Sequence, residues 1–319
     1  MQEQSNESKF PILCRYSHKD NPIPDGWKFT LLHGHHGYNG YGVLTKPSPY
    51  ILPEGNVQIS FSGGRTSAYM LHKILEANNG LPDRAVVTFA NTGREMPETL
   101  DFVHECSQRW NVPIIWLEYD RVDGKVSYAK VGNNSASRNG EPFEKLVKQR
   151  KYLPNAVTRF CTTELKIRPM KRYLTKELGW KNWSACVGMR SDESHRAKAD
   201  SKDRWTYWYP LIDAGVTKLE VNLFWSSNDF DLRLDNSSGS TPKGNCDFCF
   251  LKSEATLAAM ARQHPERAEW WMRMERECGS TFRKGRNLNQ FVDFVQRQQD
   301  WIFDEQGFFC QADDGECTG

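Results

Sequence analysis

The sequence predicts an α/β protein: a doubly wound, mostly parallel sheet with helices on both faces, followed by a helical C-terminal region. Four short apolar runs rich in β-branched and aromatic residues, VQISF (57–61), AVVTFAN (85–91), PIIWLEY (113–119) and WSACVGM (183–189), have strand length. Between them, TSAYMLHKILEANNG and PETLDFVHECSQRW repeat apolar residues three and four apart, the spacing of helices that lay one face on a sheet. Strand and helix alternate, which implies parallel strands covered on both sides.

Taken from the N-terminus, residues 1–55 are rich in Pro, Gly, His and aromatics with little periodicity, and read as an extension packed on the main domain. Within them HGHHGYNGYG (33–42) carries Gly at every second or third position, which favours a flexible loop over a histidine metal site. Residues 56–225 form the α/β domain. Its alternation fades after about residue 212, and SSNDFDLRLDNSSGSTPKGN (226–245) reads as a long polar loop. Beyond it, LKSEATLAAMARQHPERAEWWMRMERECG and LNQFVDFVQRQQDWIF are helical in pattern, with Pro265 at the permitted start of a new helix. FFCQADDGECTG ends the third region, 226–319, as a tail.

A chain of 319 residues can bury a sizeable core. Its net charge of +2 does not announce a nucleic-acid binder, although FRKGRN (282–287) offers a local basic stretch. No apolar run reaches membrane-spanning length and MQEQSNESKF lacks a signal-peptide pattern, so a cytoplasmic protein with no membrane partner is expected. In a reducing compartment, nine cysteines point to metal or catalytic use rather than a disulfide framework. Cys106 and Cys186 fall in helix and strand patterns and read as packed core thiols.

The first strand runs through Ser62, Gly63, Gly64, Arg65, Thr66 and Ser67 into a helix. Glycines let such a turn close, its N–H groups face an anion, and three hydroxyls add donors. The spacing is neither the dinucleotide GxGxxG nor the GxxxxGK[ST] of P-loop kinases. Strand ends of an open parallel sheet converge on one crevice. There Asn91, Thr92 and Gly93 would meet ribose or base, Lys166 and Arg168 would neutralise phosphate, and Arg190 with Arg196 would clamp it.

SFSGGRTSAYML (60–71) resembles the SGGxDS pyrophosphate loop of the PP-loop superfamily, the adenine nucleotide alpha hydrolases that include ATP pyrophosphatases and the phosphoadenosine phosphosulfate reductase family. FANTGREMPETLDFV (89–103), CTTELKIRPMKRYL (161–174) and GMRSDESHRA (188–197) resemble, in order, that family's second-strand signature, its CTxxxKxxP helix and its GxRxxES/QxxR loop. The resemblance runs over roughly residues 57–252 and implies ATP or another adenine nucleotide as ligand. Thr66 stands where the superfamily carries an acidic residue that helps hold a divalent ion, so a magnesium ion would call on Asp192 or Glu193.

Cys246 and Cys249 form a CxxC, open on spacing alone to a redox dithiol, half a zinc site or half an iron–sulfur site. The adenylylsulfate reductases of the family carry a Cys-Cys pair in the helix motif and a CxxC at a similar interval downstream, all ligating a 4Fe-4S cluster. Here Cys161 precedes Cys246 by 85 positions, and Phe160 replaces the first member of the pair. The resemblance therefore implies a 4Fe-4S cluster on Cys161, Cys246 and Cys249. Either Cys310 or Cys317 closes the set, or one iron stays open as in the tRNA thiolation enzymes of the superfamily. Structural zinc is the alternative. The ending GECTG is similar to the ECG tail of sulfonucleotide reductases, which makes Cys317 a candidate nucleophile, although Thr318 departs from that tail.

Three functions stay open on this reading. In ATP-dependent sulfur transfer, the substrate is adenylated with release of pyrophosphate and sulfur then displaces AMP. Lys166, Arg190 and the loop amides would stabilise the charge that develops on phosphorus. A nucleic acid is one possible acceptor, with the tryptophans of EWWMRM (269–274) available for stacking, although they fit a helix core better. In reduction of phosphoadenosine phosphosulfate or adenylylsulfate, Cys317 would attack sulfur and a thioredoxin-type reductant would release sulfite. A non-catalytic nucleotide-binding module is the third.

Overall fold

The computed structural model describes residues 12–16, 28–35, 38–45, 47–198, 203–236 and 239–297. The chain divides into two units, Met1–Ile51 and Leu52–Gly319. In the first, strands β1 (Ile12–Tyr16), β2 (Lys28–His35) and β3 (Tyr38–Thr45) form an antiparallel sheet in the order β1-β3-β2. The expected loop at 33–42 is therefore mostly strand. Gly34 sits where the register shifts between His33 and His35, the kind of irregularity that Gly in a strand accommodates.

In the second unit, strands and helices follow in turn: β4 (Val57–Ser60), α1 (Arg65–Asn78), β5 (Ala85–Asn91), α2 (Pro97–Arg109), β6 (Ile114–Val122), β7 (Lys125–Val131) and α3 (Glu141–Arg150). Then come α4 (Arg168–Lys176), β8 (Trp183–Cys186), β9 (Trp205–Trp208), α5 (Pro210–Asp213) and α6 (Lys218–Ser226). The C-terminal helices are α7 (Glu254–Gln263), α8 (Pro265–Cys278) and α9 (Leu288–Arg297). The six strands run in the order β7-β6-β5-β4-β8-β9, parallel throughout except for β7 against β6. This is an α/β fold with a mostly parallel sheet.

Two strands escape the sequence pattern. β7 is half exposed and has no apolar run, but Asp123 and Gly124, at φ 51° and 72°, close a two-residue hairpin that pairs Val122 with Lys125. β9, WTYW, sits at the opposite edge.

Alternation along β4 sorts its two faces. Val57 and Ile59 are fully buried, while Gln58 turns the other way and reaches Met170 of α4. On that second face Leu117, Trp183 and Ala185 pack with Tyr173, Leu174 and Trp180. Ahead of α4, residues Thr162–Ile167 wind as a π-helical turn, with the N–H of Arg168 reaching back to the carbonyl of Thr163. Pro169 supplies a reason: it has no N–H to donate, so the ladder around it is already broken. Among the described residues no helix is long and apolar enough to cross a membrane.

Candidate functional site

β4 lies between β5 and β8, so successive connections leave it in opposite directions and a crevice opens at its C-terminal end. Ser62, Gly63 and Gly64 enter α1 there. Gly63 has φ +82°, and a Cβ on it would stand 2.7 Å from Thr99 Cγ2, with Val103 and Phe89 behind. The Cα side of this glycine packs onto α2, and Gly64 is buried as well. Gly64 is the N-cap of α1 and no side chain caps that end, which leaves first-turn N–H groups to other acceptors. The hydroxyls of Ser62 and Ser67 lie 2.9 Å apart, and Ser67 Oγ accepts the N–H of Ser62 at 3.1 Å.

Beside them is an open cleft with one polar and one apolar side. Gln58, Ser60, Ser62, Ser67 and Lys166 give it a polar side; Met170, Leu174, Trp183, Trp205 and Tyr207 give it an apolar one. Gly188 completes the lining, and a Cβ on it would press to 3.2 Å from Ser67 Cα.

Several predicted contacts are engaged elsewhere. The guanidinium of Arg65 pairs with Asp231 at 2.7 and 2.8 Å and donates to Thr241 Oγ1 and the carbonyls of Leu232 and Leu234. It ties down the polar loop, so its side chain does not serve the nucleotide. Thr66 Oγ1 accepts from Arg190, which is itself buried and faces Asp192 and Glu193. Arg196 pairs with Glu193, and the half-exposed Arg168 with Glu164. Asn91 is also internal: its amide donates to Glu118 and to the Ser137 carbonyl, and its oxygen accepts from Gly93. Gly93 has φ +79°, and a Cβ on it would stand 3.0 Å from the backbone of Gly140.

Thr92 belongs to a second pocket, of about 480 Å³, lined by Cys161, Cys246 and Cys249 together with Arg159, Lys166, Asn245 and Trp271. Thr92 Oγ1 lies 3.4 Å from Cys246 Sγ and donates to the Glu95 carboxylate. The CxxC segment is carried here by the loop after β5: Glu95 and Cys246 form an antiparallel bridge, and the Asp247 N–H donates to the Arg94 carbonyl at 2.9 Å. The Asp247 carboxylate, fully buried, pairs with Arg94 and with Arg267 at 2.6 Å and accepts the Trp271 indole N–H at 2.7 Å. Sequence reasoning missed this anchor, although an aspartate inside CDFC was its visible signal. Trp270 and Trp271 are buried on α8, as a core assignment requires.

Burial pushes the Cys246 thiol well above its usual range, with Glu95 adding to the shift and Lys166 opposing it. Burial also raises the Glu95 carboxyl, against Lys166 and the Thr92 hydrogen bonds. Cys106 and Cys186 are wholly buried core thiols, raised for the same reason. Among the described residues no disulfide occurs, and no group of three or more His, Cys, Asp or Glu is gathered tightly enough for one metal ion. Cys310 and Cys317 lie outside the described residues.

Lys166 lines both the cleft and the cysteine pocket. A third, open cleft lined by Arg159, His195, Arg196 and Lys198 shares Ile167 and Val187 with the first and Arg159 and Thr162 with the second. All three thus surround the π-helical turn, an element that recurs at functional sites.

Residues 56–213 match the family model described as the phosphoadenosine phosphosulfate reductase domain. The match bears out, for this segment, the resemblance to the phosphoadenosine phosphosulfate reductase family. The chain is 32% identical over 202 residues to an uncharacterized nin region protein, ORF290, of Escherichia phage lambda, covering 61% of this chain and 66% of that protein. It therefore spans just under two thirds of that relative's length. Among solved structures, a phosphoadenylyl-sulfate reductase from Candida auris in a phosphate complex is similar at TM-score 0.38 and 17% identity, over 56% of this chain and 74% of that one. A U34-tRNA thiolase, NcsA, from Methanococcus maripaludis with its [4Fe-4S] cluster is similar at TM-score 0.38 and 14% identity, over 82% of this chain and 78% of that one.

Proposed function

We propose that the protein uses an adenine nucleotide to activate an acceptor for sulfur transfer. The observation that carries this reading is the position of Lys166, whose side chain borders both the nucleotide cleft and a pocket with three thiols. In this reading the adenine ring lies against Trp183, Trp205 and Met170, and the phosphates meet Ser62, Ser67 and the uncapped start of α1. An acceptor oxygen attacks the α-phosphorus and the bond to the departing pyrophosphate breaks. Lys166 offsets the charge that develops there. A sulfur nucleophile then attacks the activated carbon, and AMP leaves with the oxygen. The basic cleft of Arg159, His195, Arg196 and Lys198 gives a polyanionic acceptor such as a nucleic acid a route to the junction.

Cys161, Cys246 and Cys249 would hold a 4Fe-4S cluster in the second pocket. Three thiols in the lining of one cavity suit a cluster in which each thiolate takes its own iron. Such a cluster supplies, when bound, a sulfur-binding iron. Thr92 and Lys166 border the thiols from the protein side.

The family match favours a second reading, reduction of a sulfonucleotide with a tail cysteine as nucleophile. One experiment separates the two. Anaerobically reconstituted protein is titrated with ATP, adenylylsulfate and its 3'-phosphorylated form, following tryptophan fluorescence from Trp183 and Trp205, and then assayed for pyrophosphate and for sulfite. ATP binding with acceptor-dependent release of pyrophosphate is expected. Sulfite release without pyrophosphate replaces this reading with the second, and no binding of any nucleotide overturns both.

A further inference from the structure

The residue just before the CxxC is a buried anomaly. Asn245 is 5% exposed, sits at φ +56°, and lines the cysteine pocket. Among the described residues, neither its amide nitrogen nor its amide oxygen has a hydrogen-bond partner. A buried amide left without partners costs free energy, so native chains keep one only where something else satisfies it. The backbone adds a second constraint. A left-handed φ is uncommon for a residue with a Cβ, and Asn is among the few that tolerate it. Glycine would hold that turn with less strain, yet the position carries an amide in the lining of the thiol pocket.

Other surfaces carry less. The apolar pocket of Phe248, Phe250, Phe282 and Phe291 shows nothing that says what would fill it, and the exposed Leu219 and Leu223 of α6 have no indicated partner.

We infer that Asn245 is a positioning residue of the cysteine pocket, donating its side-chain N–H to a sulfur of the group that Cys161, Cys246 and Cys249 hold. This rests on the cluster reading given above. Hydrogen bonds to cluster sulfurs are among the factors that set a cluster's reduction potential. A donor at that sulfur stabilises the reduced, more negative state, so its removal moves the potential in the negative direction. The amide is bound through its donor face, while its oxygen is left to accept from a protonated sulfur species or a water.

The test uses the full chain reconstituted anaerobically with ferrous iron and sulfide. Asn245→Gly deletes the amide while suiting the left-handed backbone; Asn245→Asp keeps the shape and replaces the donor by an acceptor. Iron content, the reduced-state paramagnetic resonance spectrum, the midpoint potential and the coupling to 15N-labelled asparagine side chains are read, with thermal melting and nucleotide binding as controls for folding. The expected order of potentials is wild type, then Asn245→Gly, then Asn245→Asp at the most negative, with a 15N coupling present in wild type and lost in Asn245→Gly. Should Asn245→Gly fail to fold or load, loss of the 15N coupling in Asn245→Asp decides, because a carboxylate beside the cluster lowers the potential by its charge alone. A loaded variant with wild-type potential and no change in coupling overturns the inference and leaves the cluster reading standing; this is also the result if a water is the partner. A well-folded wild type that takes up no iron removes both.

Discussion

The cleft beside Ser62 and Ser67 and the cysteine pocket share Lys166, yet they are built in different ways. The cleft forms where consecutive strands end: Ser60 and Ser62 leave β4, Val187 and Gly188 leave β8, and the π-helical turn brings Lys166 alongside. Each piece follows from a short local pattern. The pocket instead joins Cys161 to Cys246 and Cys249 through contacts remote in sequence, with Asp247 clasped by Arg94 and Arg267. A site assembled from strand ends inherits its rigidity from the sheet. A site assembled by a buried ion pair depends on that pair.

The sharpest way to break the comparison is Asp247→Ala. It leaves Arg94 and Arg267 charged in a buried setting, for which a loss of about 3–5 kcal/mol is the usual order. Denaturant unfolding measures it, and iron uptake is expected to fall with it. The interpretation fails if the variant keeps wild-type stability.

Arg65→Met probes the other side. It strands two carbonyls and Asp231, and a loss of about 2–3 kcal/mol in stability is expected. Because that guanidinium serves the 231–241 loop, nucleotide affinity in the folded fraction should stay close to wild type. A large loss of affinity returns Arg65 to the phosphate site.

Lys166→Met is the variant that touches both regions. A hydrogen bond from a charged group is worth about 1.5 kcal/mol, so roughly a tenfold weaker nucleotide dissociation constant is expected. Calorimetry on the folded variant checks this, and unchanged affinity breaks the link between cleft and pocket.

The smallest effect lies outside both. Hydrogen bonding by Arg273, opposed by partial burial and helped by Lys148, holds the Glu144 carboxyl at about 2, below its ordinary 4.5. The folded state therefore favours the carboxylate, and the associated stability is present above pH 4.5 and lost as the pH falls toward about 2. The stability difference between wild type and Arg273→Met should shrink over that window in acid unfolding curves. Both side chains are partly exposed, so the difference is modest even at neutral pH.

Much of the site was visible before any coordinates. Ser62 and Ser67 line the cleft, and the helix motif holds Lys166 at its border. Other residues of the same motifs turn where the motif does not say, because a motif gives positions and not directions. Asn91 follows the strand as expected, but its amide turns inward to Glu118 and Ser137. Arg65 stands within the expected nucleotide loop, and only the distant Asp231 explains where its guanidinium goes. Asn245 gave no signal beyond its place before a cysteine.

By itself, the sequence determined the alternation of strand and helix, the turn that opens α1, and the approximate location of the nucleotide cleft. These depend on periodicity and on backbone preferences that act within a few residues. Tertiary structure alone decided which polar side chains face a ligand and which are consumed by one another, and that Cys161 shares a pocket with a CxxC 85 positions away. Burial explains the division. A charged or amide group inside a protein must find its partner wherever the fold brings one, and sequence distance does not constrain that choice.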